Sequence, residues 1–340
     1  MLEEMPYFIH KVGAGEKASQ DLTPEEAERV ARMLLSGGAT PAQAGGFLVG
    51  MRVKGETPEE MLAFTRAARE THLLLPLDAK IRPLDLPVYA GKKNTFHAIV
   101  PAGMILAAAG VSVLLHGFNE APGRIGCGEV LKALGICADF SASEGAAVLE
   151  KEGFVYLDVS RFNPSLHRFQ LLRVELGVRT VFNAVSRMVD PASSAVHLVG
   201  VSHPPYLELT VKTLKALGSR RAVVLRGVEG GPEPSMTGET KGLELVDGEF
   251  RPLTLSPASI GLPIAKREEI VGGPPDTQAE TIRKIFSNGT HGPYREWTLW
   301  TAAVAFYAAG TTPDLAKGLA LAAETIENGA AFRKLSSLSA

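Results

Sequence analysis

Residues 196–225, VHLVGVSHPPYLELTVKTLKALGSRRAVVL, decide the fold class of this 340-residue chain. An apolar run comes first at 196–201, an amphipathic stretch with helical spacing follows at 207–217, and a second apolar run lies at 222–225. Strand, helix and strand in this order are typical of a parallel βαβ unit. The segment therefore predicts an α/β fold built on a central, mostly parallel sheet.

The same alternation extends to both sides of that unit. Short apolar runs predict strands at 86–89, 111–115 and 155–157, and longer periodic stretches predict helices at 98–109, 129–134 and 168–176. After it, residues 235–265 are polar and strand-like with turns, and helices are predicted at 277–287, 296–309 and 313–329. We predict one large α/β domain over residues 79–340, with helices flanking the sheet.

The sequence pattern of the N-terminal region differs from that of the rest and predicts helices only. Thr23-Pro24, Thr40-Pro41 and Thr57-Pro58 each precede acidic or amide residues and a stripe of apolar side chains. Threonine as a cap and proline in the first turn mark the start of a helix. We predict a helical domain over residues 1–78, joined by a helical insertion around 165–190, with the ligand cleft between this domain and the α/β domain.

Composition excludes several classes of protein. The net charge is −2, so global electrostatics do not favour nucleic acid or an anionic membrane. No stretch of about 18 apolar residues predicts a membrane span. The chain has two cysteines, Cys127 and Cys137, which are too few for a disulfide framework. These features predict a cytoplasmic protein.

Ligands of α/β sheets bind in the loops that follow the carboxyl ends of the strands. That rule nominates residues 91–94, 116–124 and 226–233, each of which is rich in glycine or in charged side chains. Glycine-rich turns expose backbone N–H groups, and cations or carboxylates add charge, as a phosphate or metal site requires.

Four segments carry a resemblance to a known family. They are residues 22–61, which begin LTPEEAERV, residues 91–136, which include GKKNTFHAIV and VLLHGFN, residues 173–183, RVELGVRTVFN, and residues 302–319, AAVAFYAAGTTPDLAKGL. In order and spacing they resemble the anthranilate phosphoribosyltransferase family, glycosyl transferase family 3 of the nucleoside phosphorylase and phosphoribosyltransferase superfamily. The resemblance implies phosphoribosyl pyrophosphate as donor, Mg²⁺ bridging its pyrophosphate, and a small aromatic amine or base as acceptor.

The resemblance also assigns residues to the site. It places the diphosphate loop at Gly91, Lys92, Lys93, Asn94 and Thr95, with His97 just after it. It places further contacts with the substrates at His116, Gly117, Asn119 and Arg124, and Arg173 at the arginine that meets the acceptor's carboxylate. Glu229 and Glu233 are the carboxylates that would hold Mg²⁺. No residue is predicted to act as a catalytic acid, base or nucleophile.

The chain departs from the family pattern at several of these positions. Gly91 is the one glycine left of a GTGGDG loop, Ile99 and Leu115 replace a serine and a lysine, and Pro232 replaces an aspartate. A paralogue group with degenerate catalytic motifs shows similar losses, and the chain resembles that group. Because each lost electrostatic contact can cost about 10²–10³ in rate, efficient transfer to anthranilate is not expected.

Two other functions stay open from the sequence. One is a non-catalytic nucleic-acid binder, in which Lys80, Arg82, Lys92, Lys93 and Arg124 line one groove. The other is a transferase with a changed acceptor, in which the lysines rebuild the phosphate site.

The family also implies a homodimer through the helical domain. The apolar faces at Phe47-Leu48 and at Met61-Leu62-Phe64 would either form that interface or pack internally. Trp297 and Trp300 are interpreted as core or interface residues and not as part of the site.

Overall fold

The computed structural model of the chain describes residues 4–15, 17–89, 91–119, 123–227 and 231–339. Its first elements are four helices, α1 (Met5–Gly13), α2 (Pro24–Ser36), α3 (Pro41–Lys54) and α4 (Pro58–Glu70). In each of α2 to α4, the hydroxyl of a threonine cap accepts a hydrogen bond from the N–H of the third helical residue. The side chain of that Glu or Gln bonds back to the threonine N–H. These capping boxes satisfy exposed backbone donors, and the three predicted helix starts are confirmed.

A second helical segment, distant in sequence, packs on these helices. It comprises α8 (Val159–Phe162), α9 (Pro164–Leu176), α10 (Val181–Val185) and a 3₁₀ turn, Ser186–Met188. Asn163 Nδ2 donates to the carbonyl of Ala68 at 2.9 Å, and the rings of Phe64 and Phe182 meet edge to face at 5.6 Å. Residues 159–188 and the N-terminal helices therefore share one hydrophobic core.

The other domain is built on a sheet with seven strands in the described residues. The strands are β1 (Leu84–Pro87), β2 (Val113–Gly117), β3 (Phe154–Asp158), β4 (Val196–Gly200), β5 (Arg221–Leu225), β6 (Thr240–Val246) and β7 (Glu249–Leu255). Their order is β3-β2-β1-β4-β5-β6-β7. The first five strands in that order run parallel to one another. β6 pairs antiparallel with β5, and β7 pairs antiparallel with β6. The predicted α/β class with a mostly parallel sheet is confirmed.

The strand order reverses at β1. From β1 the chain builds β2 and β3 on one side, and then crosses to β4 and β5 on the other side. In open α/β sheets the crevice at such a switch point, outside the carboxyl ends of the strands, is the usual place for ligands. The loops that follow β1 and β4 therefore form the edge where a site is expected.

Side chains alternate between the two faces along each strand, and both faces of the five parallel strands are buried. In β2, Val113 and Leu115 face one core and Leu114 faces the other. The first core is covered by α5 (Ile99–Ala108), α6 (Cys127–Ala133), α12 (Pro275–Phe286), α13 (Pro293–Ala309), α14 (Leu315–Glu327) and α15 (Ala330–Leu338). The second is covered by the helical domain, α7 (Ala142–Glu152) and α11 (Pro205–Ala216). Trp297 and Trp300 lie fully buried in the first core, as predicted.

The last strand, β7, forms a free edge of the sheet. It pairs with β6 through a two-residue turn at Asp247 and Gly248, both of which have positive φ angles, as tight hairpins require. Most of its side chains are exposed, and Pro252 stands in the middle of the strand. In the part of the chain that the structure describes, no helix combines the length and apolar character needed to cross a membrane.

Candidate active site

The loops after β1 and β2 are tied together at the carboxyl edge of the sheet. The N–H of Lys92 donates to the carbonyl of Ile125 at 2.8 Å, and the N–H of Ile125 donates back to Lys92 at 2.8 Å. Residues 231–233, which follow β5, line the same small cavity as Gly91 and Lys92. The structure thus brings the three nominated loops together, because the carboxyl ends of parallel strands meet at one edge.

Lys92 and Glu233 form a buried ion pair. Lys92 Nζ lies 2.7 Å from Glu233 Oε1, and the two side chains are 4% and 0% exposed. The ammonium also donates to the carbonyl of Phe96 at 2.7 Å, and it lies 4.4 Å from the ring centroid of Trp297. The sequence predicted a ligand-binding lysine and a metal-binding glutamate. In the structure the two groups neutralise each other, because a buried charge requires a partner.

The pair limits how Glu233 could hold a metal ion, because it engages one of the two carboxylate oxygens. The described residues contain no group of three or more His, Cys, Asp or Glu side chains placed to hold one. Glu233 Oε1 accepts from Lys92 and from the N–H of Ile99 at 3.3 Å, whereas Oε2 is buried without a hydrogen-bond partner in the described part of the chain. Glu229, the other predicted ligand, lies outside the described residues. One carboxylate oxygen therefore remains as an available metal ligand.

His97 is a buried connector between loops. Its Nδ1 lies 2.8 Å from Gln278 Oε1, and its Nε2 lies 2.9 Å from the carbonyl of Ile125. Burial, and after it the charge of Lys92, lowers the pKa of His97 to about 4. The ring is therefore neutral near pH 7. The prediction of a substrate contact is corrected, because only 1% of His97 is exposed and both ring nitrogens face protein groups.

His116 is buried inside the domain as well. The predicted strand ended at Leu115, but β2 continues through His116 and Gly117, which pair with Leu157 and Asp158 of β3. His116 Nε2 lies 2.9 Å from Asp85 Oδ1, and its Nδ1 lies 2.7 Å from the hydroxyl of Tyr89. With 0% exposure, His116 does not reach the cleft, which corrects the predicted contact.

Asp85 connects a second histidine to this network. His197 Nδ1 lies 3.0 Å from Asp85 Oδ2, and both side chains are fully buried. Neither Asp85 nor His197 is among the residues predicted from the sequence. Each is a polar side chain inside an apolar strand, Leu-Asp-Leu and Val-His-Leu, and that is the signal that could have revealed the pair. Buried polar groups of this kind are hydrogen-bonded in native proteins.

The rest of the diphosphate loop lies at the rim. Gly91 has a φ of +58°, a left-handed conformation that favours glycine. Lys93 and Asn94 are exposed, and the carbonyl of Asn94 accepts from the N–H of Gly272 at 2.9 Å. The Thr95 hydroxyl is buried without a partner in the described residues. These side chains border the solvent that a donor would enter.

Asn119 and Arg124 line a wide cleft beside this rim. Its other lining residues include Phe118, Asp158, His167, Gln170 and Val174, and its volume is about 690 Å³. A typical small-molecule site has about 300–1,000 Å³, so this cleft has the size of such a site.

Glycines on either side of Asn119 fix the local backbone. The N–H of Asn119 donates to Asp158 at 2.5 Å, and Asn119 Oδ1 packs where a Cβ at Gly128 would lie, 2.1 Å away. A Cβ at Gly117 would lie 3.0 Å from the carbonyl of Val88. Gly117 thus permits the close approach of two loops and offers no side chain to a ligand.

Arg124 lines the cleft, and Arg173 brings a second positive charge beside it. Arg124 Nη1 donates to the carbonyl of Gly91 at 3.2 Å, so the guanidinium lies next to the diphosphate loop. Arg173 is half-buried on α9, and its guanidinium donates to Gln170 Oε1 at 3.5 Å. Burial, followed by the charge of Arg124, lowers the pKa of Arg173. No carboxylate within the described residues forms an ion pair with either arginine at 4.0 Å or less.

Sequence reasoning missed the α9 side of the cleft apart from Arg173. His167 and Gln170 lie one to two helical turns before it, and Asp158 and Ser160 end β3 and begin α8. Spacing along α9 could have revealed the first two, since positions three and six residues before Arg173 share one helical face.

Comparison with known proteins agrees with this architecture. The model of the glycosyl transferase family helical bundle domain matches residues 6–71, and the model of the glycosyl transferase family a/b domain matches residues 91–332. An anthranilate phosphoribosyltransferase of Desulfitobacterium hafniense strain Y51 is 36% identical over 337 residues, 99% of this chain and 99% of that protein. One from Thermus thermophilus is 35% identical over 313 residues, covering 92% of this chain and 93% of its own length.

Solved structures extend the likeness to three dimensions. The crystal structure of anthranilate phosphoribosyltransferase from Thermus thermophilus has a TM-score of 0.86 at 33% identity, over 98% of both chains. The enzyme from Saccharomyces cerevisiae in complex with phosphoribosyl pyrophosphate and Mg has a TM-score of 0.85 at 20% identity, over 98% of this chain and 96% of that one. Both domains and their order are thus shared. The chain belongs to the glycosyl transferase family of which these anthranilate phosphoribosyltransferases are members.

Proposed function

We propose that the protein is a phosphoribosyltransferase that transfers a pentosyl phosphate group from a phosphoribosyl pyrophosphate-type donor to a small aromatic amine or base. The observation that carries the proposal is the pair Arg124 and Arg173. These two guanidiniums, from different domains, have no carboxylate partner among the described residues and lie close enough for Arg124 to lower the pKa of Arg173. An anionic donor and an anionic acceptor would supply the missing negative charge.

The donor's phosphates fit the rim next to Arg124. The left-handed turn at Gly91, the exposed Lys93 and Asn94, and the unpartnered hydroxyl of Thr95 offer N–H, ammonium and hydroxyl donors there. Lys92 serves indirectly, because its ion pair with Glu233 fixes the loop in place. Such a preorganised set of donors is what a pyrophosphate leaving group needs.

The relatives from yeast suggest that magnesium accompanies the donor, since their structures hold Mg, one of them together with phosphoribosyl pyrophosphate. In this chain Glu233 Oε2 is the described carboxylate oxygen free to bind it. Mg²⁺ is commonly held by one or two carboxylates together with substrate phosphates and water. When bound, it would neutralise charge on the departing pyrophosphate.

The acceptor fits the α9 side of the cleft. Arg173 provides a cation for a carboxylate, Gln170 and His167 provide polar contacts, and Phe118 and Val174 provide apolar surface for a ring. In the reaction, the acceptor nitrogen forms a bond to the anomeric carbon while the carbon–oxygen bond to pyrophosphate breaks. The electron pair of that bond leaves with pyrophosphate, and the surplus proton on nitrogen passes to solvent. The chain contributes by orienting both reactants.

The nucleic-acid alternative loses one of its proposed contacts. Lys92 is 4% exposed and is paired with Glu233, so it cannot reach a phosphate backbone. Exposed Lys80, Arg82 and Lys93 and half-buried Arg124 would remain for such a groove. The changed-acceptor alternative is a variant of the proposed function, and acceptor screening addresses it.

We expect Arg173→Met to raise the KM for an anionic acceptor at least tenfold, because a hydrogen bond to a charged group is worth about 1.5–3 kcal/mol. Arg124→Met should weaken donor binding by a similar factor. Calorimetric titration of phosphoribosyl pyrophosphate with Mg²⁺, and the loss of anthranilate fluorescence on turnover, measure the two effects.

Arg66→Met is the matched control, because Arg66 is exposed on α4 and outside the cleft. It should leave both constants unchanged. Absence of donor binding at millimolar concentration in the presence of Mg²⁺ would overturn the proposed function.

We also propose a homodimer through the helical domain. Phe47, Leu48, Met61 and Phe64 are fully buried in the helical core, so those predicted interface residues pack internally. On the outer surface, Val49 and Val53 lie one turn apart on α3 with 39% and 73% exposure. Helix α9 packs on α3 next to this face, where Leu176 meets Gly45. Apolar side chains of this kind favour burial against a second copy.

Val53→Asp is expected to halve the molar mass measured by light scattering and to leave the circular dichroism spectrum unchanged. A charge in a buried interface is costly, whereas at an exposed position it is tolerated. Phe332→Asp, at a 46% exposed position on α15, should leave the mass unchanged. An unchanged mass for Val53→Asp, or a monomeric wild-type protein, would contradict this interface.

A further inference from the structure

A second pocket lies beside the carboxyl end of β4 and shares none of its lining residues with the cleft of the proposed function. Arg52 of α3, Arg179 and Arg187 line it together with polar Thr180, Asn183 and Ser202. Its free volume is about 40 Å³, room for a few water molecules or one phosphate group. β4 adjoins β1 at the point where the strand order reverses, so the pocket lies at the edge that α/β folds use for ligands.

The pocket has a surplus of positive charge. Within the described residues, no carboxylate oxygen lies within 4.0 Å of the guanidinium nitrogens of Arg52, Arg179 or Arg187. Glu56, in the adjoining surface groove, accepts from the hydroxyl of Tyr206 at 2.8 Å and lies close enough to feel the charge of Arg52, which leaves Arg179 and Arg187 as the uncompensated pair. Three guanidiniums in one concave site attract an anion strongly, since low-dielectric walls focus their field.

Of the three arginines, Arg187 gives the strongest evidence for a bound anion. It is 9% exposed, it donates through Nη1 to the carbonyl of Asn183, and its Nε has no partner within the described chain. Burial, followed by the charges of Arg179 and Arg173, lowers the pKa of Arg187 to about 10, so the group stays positive at neutral pH. A buried, charged donor without a counter-ion is unfavourable, and a bound anion would remove that cost.

Neutral donors in the same pocket are also unused. Thr180 is 4% exposed, and its hydroxyl has no partner in the described residues. Arg179 Nη1 donates to Ser202 Oγ at 2.8 Å, which leaves its other guanidinium N–H groups available and positions the serine hydroxyl. Guanidinium forks flanked by hydroxyl donors match the several oxygens of a phosphate group better than the two oxygens of a carboxylate.

We propose that this pocket is a second ligand site, which binds a small molecule through a phosphate group held by Arg179 and Arg187 and flanked by Arg52. Val201 and Ala184 complete the wall around the phosphate. No residue lines both this pocket and the cleft proposed for donor and acceptor, although the charge of Arg173 reaches Arg187. Phosphate binding here can therefore be measured whether or not the chain transfers a pentosyl group.

The test is titration of inorganic phosphate into the full-length protein, followed by calorimetry and by thermal unfolding at constant ionic strength. We expect saturable binding and a rise in Tm, because a ligand that binds the folded state stabilises it. Arg187→Met should weaken phosphate binding at least tenfold. In the absence of phosphate it should keep or raise the Tm, because methionine removes a buried unpaired charge. Arg66→Met should bind phosphate as the wild type does.

Arg179→Met provides a second variant if Arg187→Met does not fold, and it should lose phosphate binding to the same degree. Arg124→Met separates the two sites, since it alters the donor cleft and should leave this phosphate binding intact. The inference is overturned if the wild type does not bind millimolar phosphate, if Arg179→Met and Arg187→Met bind it as tightly as the wild type, or if Arg124→Met alone abolishes binding.

Discussion

Glu233→Gln is expected to lower the free energy of unfolding by about 3–5 kcal/mol, because it leaves the ammonium of Lys92 buried without a counter-charge. The wild-type pair is nearly inaccessible to water, with 4% and 0% exposure, so solvent cannot replace the lost carboxylate. The remaining contacts of Lys92, the carbonyl of Phe96 and the ring of Trp297, offer partial charges only. Chemical denaturation at pH 7 measures the change.

The double variant Lys92→Met with Glu233→Gln tests the cause. Methionine keeps most of the apolar stem over Trp297 and removes the charge, so the double variant should be more stable than Glu233→Gln alone. Glu208→Gln is the control, because it breaks an exposed i,i+4 pair with Lys212 and should cost about 0.5 kcal/mol or less. If Glu233→Gln and Glu208→Gln have equal effects, the pair does not stabilise the site as described.

Asp85→Asn should change both the free energy of unfolding and the dependence of that free energy on pH. Burial alone would raise the pKa of Asp85, but the charge of His116 and hydrogen bonds from His116 and His197 outweigh it and hold the pKa below its usual value. A carboxylate whose folded pKa is depressed contributes stability above its unfolded pKa of about 3.9 and loses that contribution as the pH falls toward the folded pKa. The wild type should therefore lose stability below about pH 4.

His197 adds a dependence on the alkaline side. Burial lowers its pKa, but the hydrogen bond to Asp85 and the charges of Asp190 and Asp85 raise it above 6.5 overall. Its contribution is complete below pH 6.5 and is lost as the pH rises through the folded pKa.

Asp85→Asn should weaken both dependences and lower stability at pH 7 by about 3–5 kcal/mol. Thermal unfolding between pH 3 and pH 9 compares it with the wild type and with Asp276→Asn, which removes an exposed carboxylate. A variant with the slopes of the wild type would show that Asp85 does not govern them.

The helix starts and the sheet were predictable because their signals are local. Thr-Pro-Glu-Glu and Thr-Pro-Ala-Gln carry all the atoms of a capping box within four residues. The apolar residues that form β5 are likewise consecutive in sequence, so the strand can be predicted from them alone. Such patterns need no knowledge of distant parts of the chain.

The site was less predictable because its charges are decided by distant partners. Lys92 and Lys93 look alike in sequence, but Glu233 approaches Lys92 only in the folded chain, and that contact removes one of the two from the cleft. The sequence predicted that the strand ends before His116. In the structure β2 includes His116, because pairing with β3 extends the strand and local composition does not show that pairing. Arg187 carries no local signal, since its unusual property is that no carboxylate of the described chain pairs with it in space.

The free edge of β7 bears on how the protein behaves at high concentration. An unpaired strand edge can recruit a strand of another molecule and start irreversible aggregation. In β7, Pro252 lacks the N–H group that such a recruit would need, and the neighbouring Arg251 is exposed and charged. The β6–β7 hairpin thus ends the sheet at its seventh strand. At high concentration its edge should not pair with strands of other molecules.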